Sequence, residues 1–265
     1  MYKAVFLDLD DTLLDDEKNI SKENLEAIEY VKQKDALVCI ASGRSIEATK
    51  KYHNLANASR YIIYSNGAGI FDCDANEKLF SADIEKDICL ELYNYAIGNG
   101  LGIRIDTPYG RYISDEKYAL RLDIVFKKEE GNNIILDNDV LQISFLTEIE
   151  EKREELLNFV KQNISTNIKI ENIFKTGYNE EFFAINIVNT NVSKGNAING
   201  LCKFLKIDIK DVIAIGDGIN DISMIKMAGL GVAMGNANPE VKSIADIVTS
   251  TNLENGVAKV LKEKF

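Results

Sequence analysis

Histidine is almost missing from this 265-residue chain, tryptophan is absent, and only two prolines and four cysteines occur. One histidine, His53, cannot supply the His/Cys cluster that a zinc site needs. It falls in a predicted helix, where a partly exposed structural role is expected rather than a Ser-His-Asp triad or a phosphohistidine. Cys39, Cys73, Cys89 and Cys202 are scattered, with no Cys-x-x-Cys pair, the pattern of reduced thiols in a cytoplasmic protein. The stretch CIASGR stops short of the Cys-x5-Arg phosphatase loop, because Ser45 stands where arginine is required. Cys39 also sits inside an apolar strand, where a thiol is an inert core residue.

Positive charge is in short supply. Lys and Arg total 31 against 42 Asp and Glu, for a net charge of −11, and no basic run or stripe interrupts the balance. Binding to a nucleic-acid backbone, which draws its affinity from released counterions, is excluded, while one small anion can still be held locally. No apolar run approaches the roughly 18 to 20 residues that span a bilayer, so no membrane partner is expected. The opening apolar stretch is too short and too soon acidic for a secretory signal. The Gly-x-Gly of GAGI lacks the rest of a dinucleotide fingerprint.

What is present is a rhythm of buried strands and helices. KAVFLD, DALVCIAS and RYIIYSN are continuous apolar runs, as expected of strands covered on both faces. Between them, Ser21 is a plausible N-cap for a helix with Leu25, Ile28 and Val31 at helical spacing, and a second helix is expected from Ile46 to about Leu55. IFDCDANEKLF reads as a small hairpin. From about Asp83 the texture turns to an α+β mixture: a helix over DIEKDICLELYNYAI, a hairpin around Thr107-Pro108-Tyr109, the strand VLQISFLT, a charged helix, and the strands NIKIENIF and EFFAINIV. After Val192 the βα rhythm returns, with Ala197, Ile198, Leu201, Phe204 and Leu205 expected on one face of a helix. DVIAIGD, GLGVAM and ADIVT follow as strands. The organisation expected is a discontinuous α/β core, residues 1–82 plus 187–265, with residues 83–186 inserted.

Four strand ends carry chemistry. In LDLDDT, Asp8 and Asp10 follow directly on a buried strand, where ligands bind in open parallel sheets. Ionised carboxylates there repel one another and lose hydration unless a cation or strong donors stand among them. A cap or turn accounts for Asp11 or Thr12 but not for the alternating pair. ASGRS brings the hydroxyl of Ser42 and lets the Gly43 backbone approach a ligand, while Arg44 reads equally well as a surface charge. In VSKGNA, Lys194 opens a helix, which the macrodipole disfavours unless a negative group shares the site. In IGDGINDISM, Asp217 and Asp221 bracket a turn that also holds Asn220. Oxygen ligands from Asp8 and Asp217 suit Mg²⁺, one carboxylate can attack phosphorus while another handles the proton, and Ser42, Lys194 and backbone N–H groups can offset the charge of a transferring phosphoryl group.

In family order, DLDDT, SGR, Lys194 before a helix, and GDGIND resemble the core motifs of the haloacid dehalogenase superfamily. SNGA and VAMGNA resemble its Cof-type phosphatases with a type IIB cap. The resemblance covers essentially the whole chain. It implies a Rossmann-like parallel-sheet core and an α+β cap at about 83–186 that closes over the substrate. Asp8 would be the nucleophile, forming an aspartyl-phosphate, and Asp10 the general acid/base. Mg²⁺ would be held by the Asp8 side chain, the Asp10 backbone carbonyl and Asp217, with Asp221 in support. The Leu9 backbone N–H, Ser42, Gly43, Lys194 and Asn220 would bind the phosphoryl group. The substrate implied is a small phosphorylated metabolite, sugar phosphates first, with pyridoxal 5′-phosphate and flavin mononucleotide behind. A phosphomutase of the phosphomannomutase type, or a ligand-binding regulator with the same fold, are the alternatives. Asp10 argues against both carbon dehalogenation and a silent regulator, since neither has use for it. Arg104, Asp106, Tyr109, Arg111 and Tyr178 lie near turns of the insert and are candidates for reading the leaving group, though a surface or packing role suits each as well.

Overall fold

Short apolar runs with turn residues at both ends set the first strands. AVFL becomes β1 (Ala4–Leu7), fully buried, and after α1 (Lys22–Lys32) LVCIA becomes β2 (Leu37–Ala41), its last four residues buried. α2 (Ile46–Ala56) leads to YIIY as β3 (Tyr61–Tyr64), and the hairpin of β4 (Gly69–Asp72) and β5 (Glu77–Ser81) follows. The computed structural model describes residues 2–115, 131–163, 167–176 and 182–265, and Tyr178 lies outside them. Capping is local and legible. Ser21 accepts from Asn24 N at 3.2 Å, and Ser45 from Ala48 N at 3.4 Å.

The chain divides into two units, Met1–Ser81 with Val192–Phe265, and Ala82–Asn191. The second unit contains α3 (Lys86–Gly98), β6 (Gly102–Thr107), β7 (Gly110–Ile113), α4 (Gly131–Asp137), β8 (Gln142–Thr147), α5 (Glu150–Asn163), β9 (Ile168–Thr176) and β10 (Phe182–Asn189). Its strands form one antiparallel sheet, β7-β6-β8-β10-β9, so a sheet with one apolar face meets helices on that face. Ile103, Ile105, Ile143 and Phe145 pack there with Leu92 of α3 and Leu156 of α5.

The first unit resumes with α6 (Lys194–Leu205), β11 (Val212–Gly216), α7 (Ile222–Met227), β12 (Leu230–Ala233), α8 (Pro239–Ile244), β13 (Ile247–Val248) and α9 (Gly256–Lys264). Its sheet runs β13-β12-β11-β1-β2-β3-β4-β5, parallel from β13 to β3 and antiparallel beyond. The fold is thus the expected α/β core with a mostly parallel sheet, together with a separate α+β unit. β1 lies between β11 and β2, with Leu7 opposite both Ile215 and Ile40, so three strand ends open side by side.

Two packing expectations are corrected. Phe204 is 59% exposed, because the buried arc of α6 is Lys194, Gly195, Ala197, Ile198, Leu201 and Cys202, and Phe204 falls just outside it in the last turn. His53 is buried rather than partly exposed. Its ring nitrogens lie 3.1 Å from Asn54 Oδ1 and 3.1 Å from the Ser59 carbonyl, which meets its polar needs. Asn24 is also buried. Its amide oxygen accepts from Ala258 N at 3.0 Å, serving the first turn of α9.

Candidate active site

Asp8 follows β1 directly, and its N–H donates to the Ile215 carbonyl at 3.0 Å, which sets it beside the end of β11. Asp217 and Asp221 follow β11. The three carboxylates each offer an oxygen within 4.8 Å of the others. Asp221 is held from several sides: its Oδ2 accepts from Asp217 N at 3.0 Å and Gly218 N at 2.9 Å. Gly216 makes this possible, since a Cβ there would sit 2.5 Å from Asp221 Cγ.

Lys194 reaches into the same cluster. Its Nζ donates to Asp8 Oδ1 at 2.5 Å and Asp221 Oδ1 at 2.6 Å, and the side chain is fully buried. With all three carboxylates ionised, one ammonium would leave two negative charges uncompensated. The strain shows in the titration of the acids. Burial pushes Asp8 up to about 8 against the pull of Lys194, with Asp221 raising it further. Burial likewise raises Asp217 to about 6, opposed by the Thr12 hydroxyl, which donates to its Oδ1 at 2.9 Å. For Lys194 burial works against the charge, yet Asp8 and Asp221 outweigh it and the pKa rises. A divalent cation with oxygen ligands matches this residual charge, so the residues present fit Mg²⁺ at Asp8, Asp217 and Asp221.

The Asp10 carboxylate turns elsewhere. Arg44 grips it with both arms of its fork, Nε to Oδ2 at 2.7 Å and Nη2 to Oδ1 at 2.6 Å, and Lys18 adds an ion pair at 3.0 Å. The Arg44 bonds, against some burial, hold Asp10 down to about 2. Arg44 is therefore no free surface charge; its guanidinium also lies 4.7 Å over the Tyr52 ring.

Ser42 is buried at the end of β2, and its hydroxyl accepts from Arg44 N at 3.2 Å. Leu9 is buried in a kinked stretch, Leu9–Leu13, where Asp11 takes a φ of 59°. Asn66 joins two of the expected phosphate-binding loops. Its Oδ1 accepts from Asn220 Nδ2 at 2.9 Å and would lie 2.7 Å from a Cβ on Gly43. The Asn66 N–H donates to the Ser42 carbonyl at 3.0 Å. Ser65 and Asn66 both adopt the left-handed region, at φ 48° and 56°, a conformation uncommon outside glycine. Sequence reasoning passed over Asn66, weighed Arg44 as equally a surface charge, and read Thr12 as a cap or turn residue. SNGA and DLDDT were in view, but nothing in either stretch names the distant partner each residue meets.

A family model described as haloacid dehalogenase-like hydrolase matches residues 5–261. The 5-amino-6-(5-phospho-D-ribitylamino)uracil phosphatase YcsE of Bacillus subtilis (strain 168) is 32% identical over 98% of this chain and 94% of its own. A haloacid dehalogenase-like hydrolase from Bacteroides thetaiotaomicron of known crystal structure superimposes with a TM-score of 0.83, at 27% identity over all of both chains. The HAD subclass IIB sugar phosphatase BT4131 shares the fold, with a TM-score of 0.75 at 24% identity over 98% of each chain.

Proposed function

The chain belongs to the haloacid dehalogenase-like hydrolases and is a phosphatase of that family, and on this premise we propose that it hydrolyses small sugar and polyol phosphates with Mg²⁺ and an aspartyl-phosphate intermediate. The observation that carries the reading is the buried cluster of Asp8, Asp217, Asp221 and Lys194 where β1 and β11 end. Asp8, Asp217, Asp221 and the Asp10 backbone carbonyl would hold the cation, which when bound would help to neutralise the phosphoryl oxygens. The Leu9 N–H, Ser42, Gly43, Lys194 and Asn220 bind the same group.

Asp8 attacks phosphorus, forming the Oδ–P bond as the ester P–O bond breaks, and Asp10 delivers a proton to the departing oxygen. Water then attacks the acyl phosphate, Asp10 takes its proton, and inorganic phosphate leaves with Asp8 restored. Gripped by Arg44, Asp10 is ionised and ready for the second half. In the first half it must instead carry a proton to give. Residues 1–82 and 187–265 supply this chemistry, and the inserted 83–186 acts as the cap that reads the leaving group. The ribityl phosphate in the name of the Bacillus relative supports a polyhydroxylated substrate. Unpaired cysteines support a reducing, cytoplasmic setting, and among the described residues no helix is long and apolar enough to cross a membrane.

The test is phosphate release from p-nitrophenyl phosphate by the purified chain. Turnover is expected with Mg²⁺ and is expected to vanish with excess chelator and in Asp8→Asn. Activity that survives either change overturns the mechanism.

A further inference from the structure

Asp10 stands in a kink rather than in a strand or a regular helix. Leu14 N donates to the Leu9 carbonyl at 2.9 Å and closes the kink, with Asp10 at φ −69°, ψ 129° and Asp11 at φ 59° inside it. A left-handed aspartate costs energy that its surroundings must overcome. Three asparagines hold the carbonyls of this stretch. Asn24 Nδ2 reaches the Leu13 carbonyl at 3.5 Å, Asn252 Nδ2 donates to the Leu14 carbonyl at 3.0 Å, and Asn236 Nδ2 donates to the Asp11 carbonyl at 2.7 Å.

Asn24 and Asn252 are buried, so their bonds meet polar groups that water does not reach. Asn236 is different. It and Asp11 are both exposed, where water satisfies a carbonyl at little cost, so satisfaction alone gives no reason for the bond. The other end of the same amide is engaged as well, its Oδ1 accepting from Asn252 N at 3.0 Å. A planar amide bonded at both ends acts as a strut. This strut sits in the stretch VAMGNA, just after β12. Two residues on, Asn238 N donates to the Asp217 carbonyl at 3.1 Å, so one short loop bonds the backbone beside Asp10 and at Asp217.

We infer that Asn236 is a positioning residue for Asp10. Arg44 sets the carboxylate, and Asn236 sets the backbone it projects from by pinning Asp11 in its left-handed turn. Without the strut Asp11 relaxes toward ordinary angles, the Asp10–Asp11 peptide rotates, and the acid/base group loses its place. The catalytic consequence rests on the phosphatase reading; the strut does not.

Asn236→Ala and Asn236→Asp, made in the full chain and assayed with Mg²⁺, test this on two probes of similar shape, p-nitrophenyl phosphate and phenyl phosphate. p-Nitrophenolate departs without a proton, whereas the more basic phenolate needs the one that Asp10 gives. Both variants are expected to lower kcat/KM for phenyl phosphate about tenfold and to leave that for p-nitrophenyl phosphate within about twofold. A purely structural residue would depress both alike. The aspartate variant keeps the acceptor for Asn252 N and loses only the donor to Asp11, so parent-like selectivity in it overturns the assignment. Asp11→Gly supplies the rescue. Glycine takes a positive φ without strain, so adding it to Asn236→Ala is expected to recover most of the loss on phenyl phosphate. Equal losses on both probes, or a loss that Asp11→Gly does not move, overturn the assignment. Urea denaturation reads the strut apart from catalysis: Asn236→Ala is expected to cost less stability once Asp11 is glycine, and strict additivity overturns it. Failure of the phosphatase reading shows separately, as a parent that turns over neither probe while that coupling stands.

Discussion

Removing the Lys194 ammonium would leave Asp8 and Asp221 buried side by side with no counter-charge between them. Breaking such an arrangement from one side costs about 3–5 kcal/mol, so Lys194→Met is expected to lower stability by that order in a urea titration. Adding Asp221→Asn should recover part of the loss, because the two side chains interact directly, and a purely additive result would contradict the pairing. Arg44 is the other cation with a specific task. Its fork matches both oxygens of Asp10, a geometry that the point charge of lysine cannot reproduce. Arg44→Gln and Arg44→Lys are therefore both expected to lower kcat, about tenfold or more, through a misplaced Asp10. Mg²⁺ affinity, measured by calorimetry, should stay unchanged, since the Asp10 carboxylate stands apart from the group of Asp8, Asp217 and Asp221.

At the scale of elements, the turn between β3 and β4 carries the clearest strain. Asn66 holds a left-handed conformation while its side chain bonds Asn220. Asn66→Gly relieves the strain but drops the bond, and Asn66→Ala drops the bond and keeps the strain. Thermal denaturation is expected to rank alanine below glycine by about 1 kcal/mol, with both variants raising KM for p-nitrophenyl phosphate. The hairpin that follows ties Arg60 to Asp72, whose carboxylate also accepts from Asp74 N at 3.1 Å and Ala75 N at 3.0 Å. The Arg60 bond, against burial, lowers the Asp72 pKa. Its contribution is therefore present above the unfolded carboxylate value, about 3.9, and is lost as pH falls through the folded one. Asp72→Asn should lower Tm at pH 7 and narrow the gap to the parent under acid. These elements also mark what was readable beforehand. Ser21 announced its helix and three apolar runs announced β1, β2 and β3, because both signals are local in the chain. The acids at the ends of β1 and β11 were legible for the same reason. The burial of Asn24, the exposure of Phe204 and the grip of Arg44 on Asp10 were not. Each is decided by a partner dozens of residues or more away, or by which arc of a helix the neighbouring element covers.

For the whole molecule, the site and the fold share one electrostatic account. A chain of net charge −11 gathers three carboxylates at the ends of two adjacent strands and supplies a single buried ammonium among them. Ionising all three there opposes folding, and burial accordingly raises the pKa of Asp8 and of Asp217. A divalent cation that binds the folded chain and not the unfolded one must then stabilise it by mass action, by about 2.7 kcal/mol at a hundred times its Kd. Tm is accordingly expected to rise by several degrees as MgCl₂ is titrated in, and to fall back on adding excess chelator. An equal ionic strength of NaCl, which screens exposed charges but barely reaches buried ones, should reproduce little of the shift. In Asp217→Asn the magnesium-dependent rise should shrink strongly while metal-free Tm is held or improved, because one of the uncompensated charges is gone. If NaCl matches MgCl₂, or if Asp217→Asn keeps the full rise, the cluster at the strand ends is not where the cation acts.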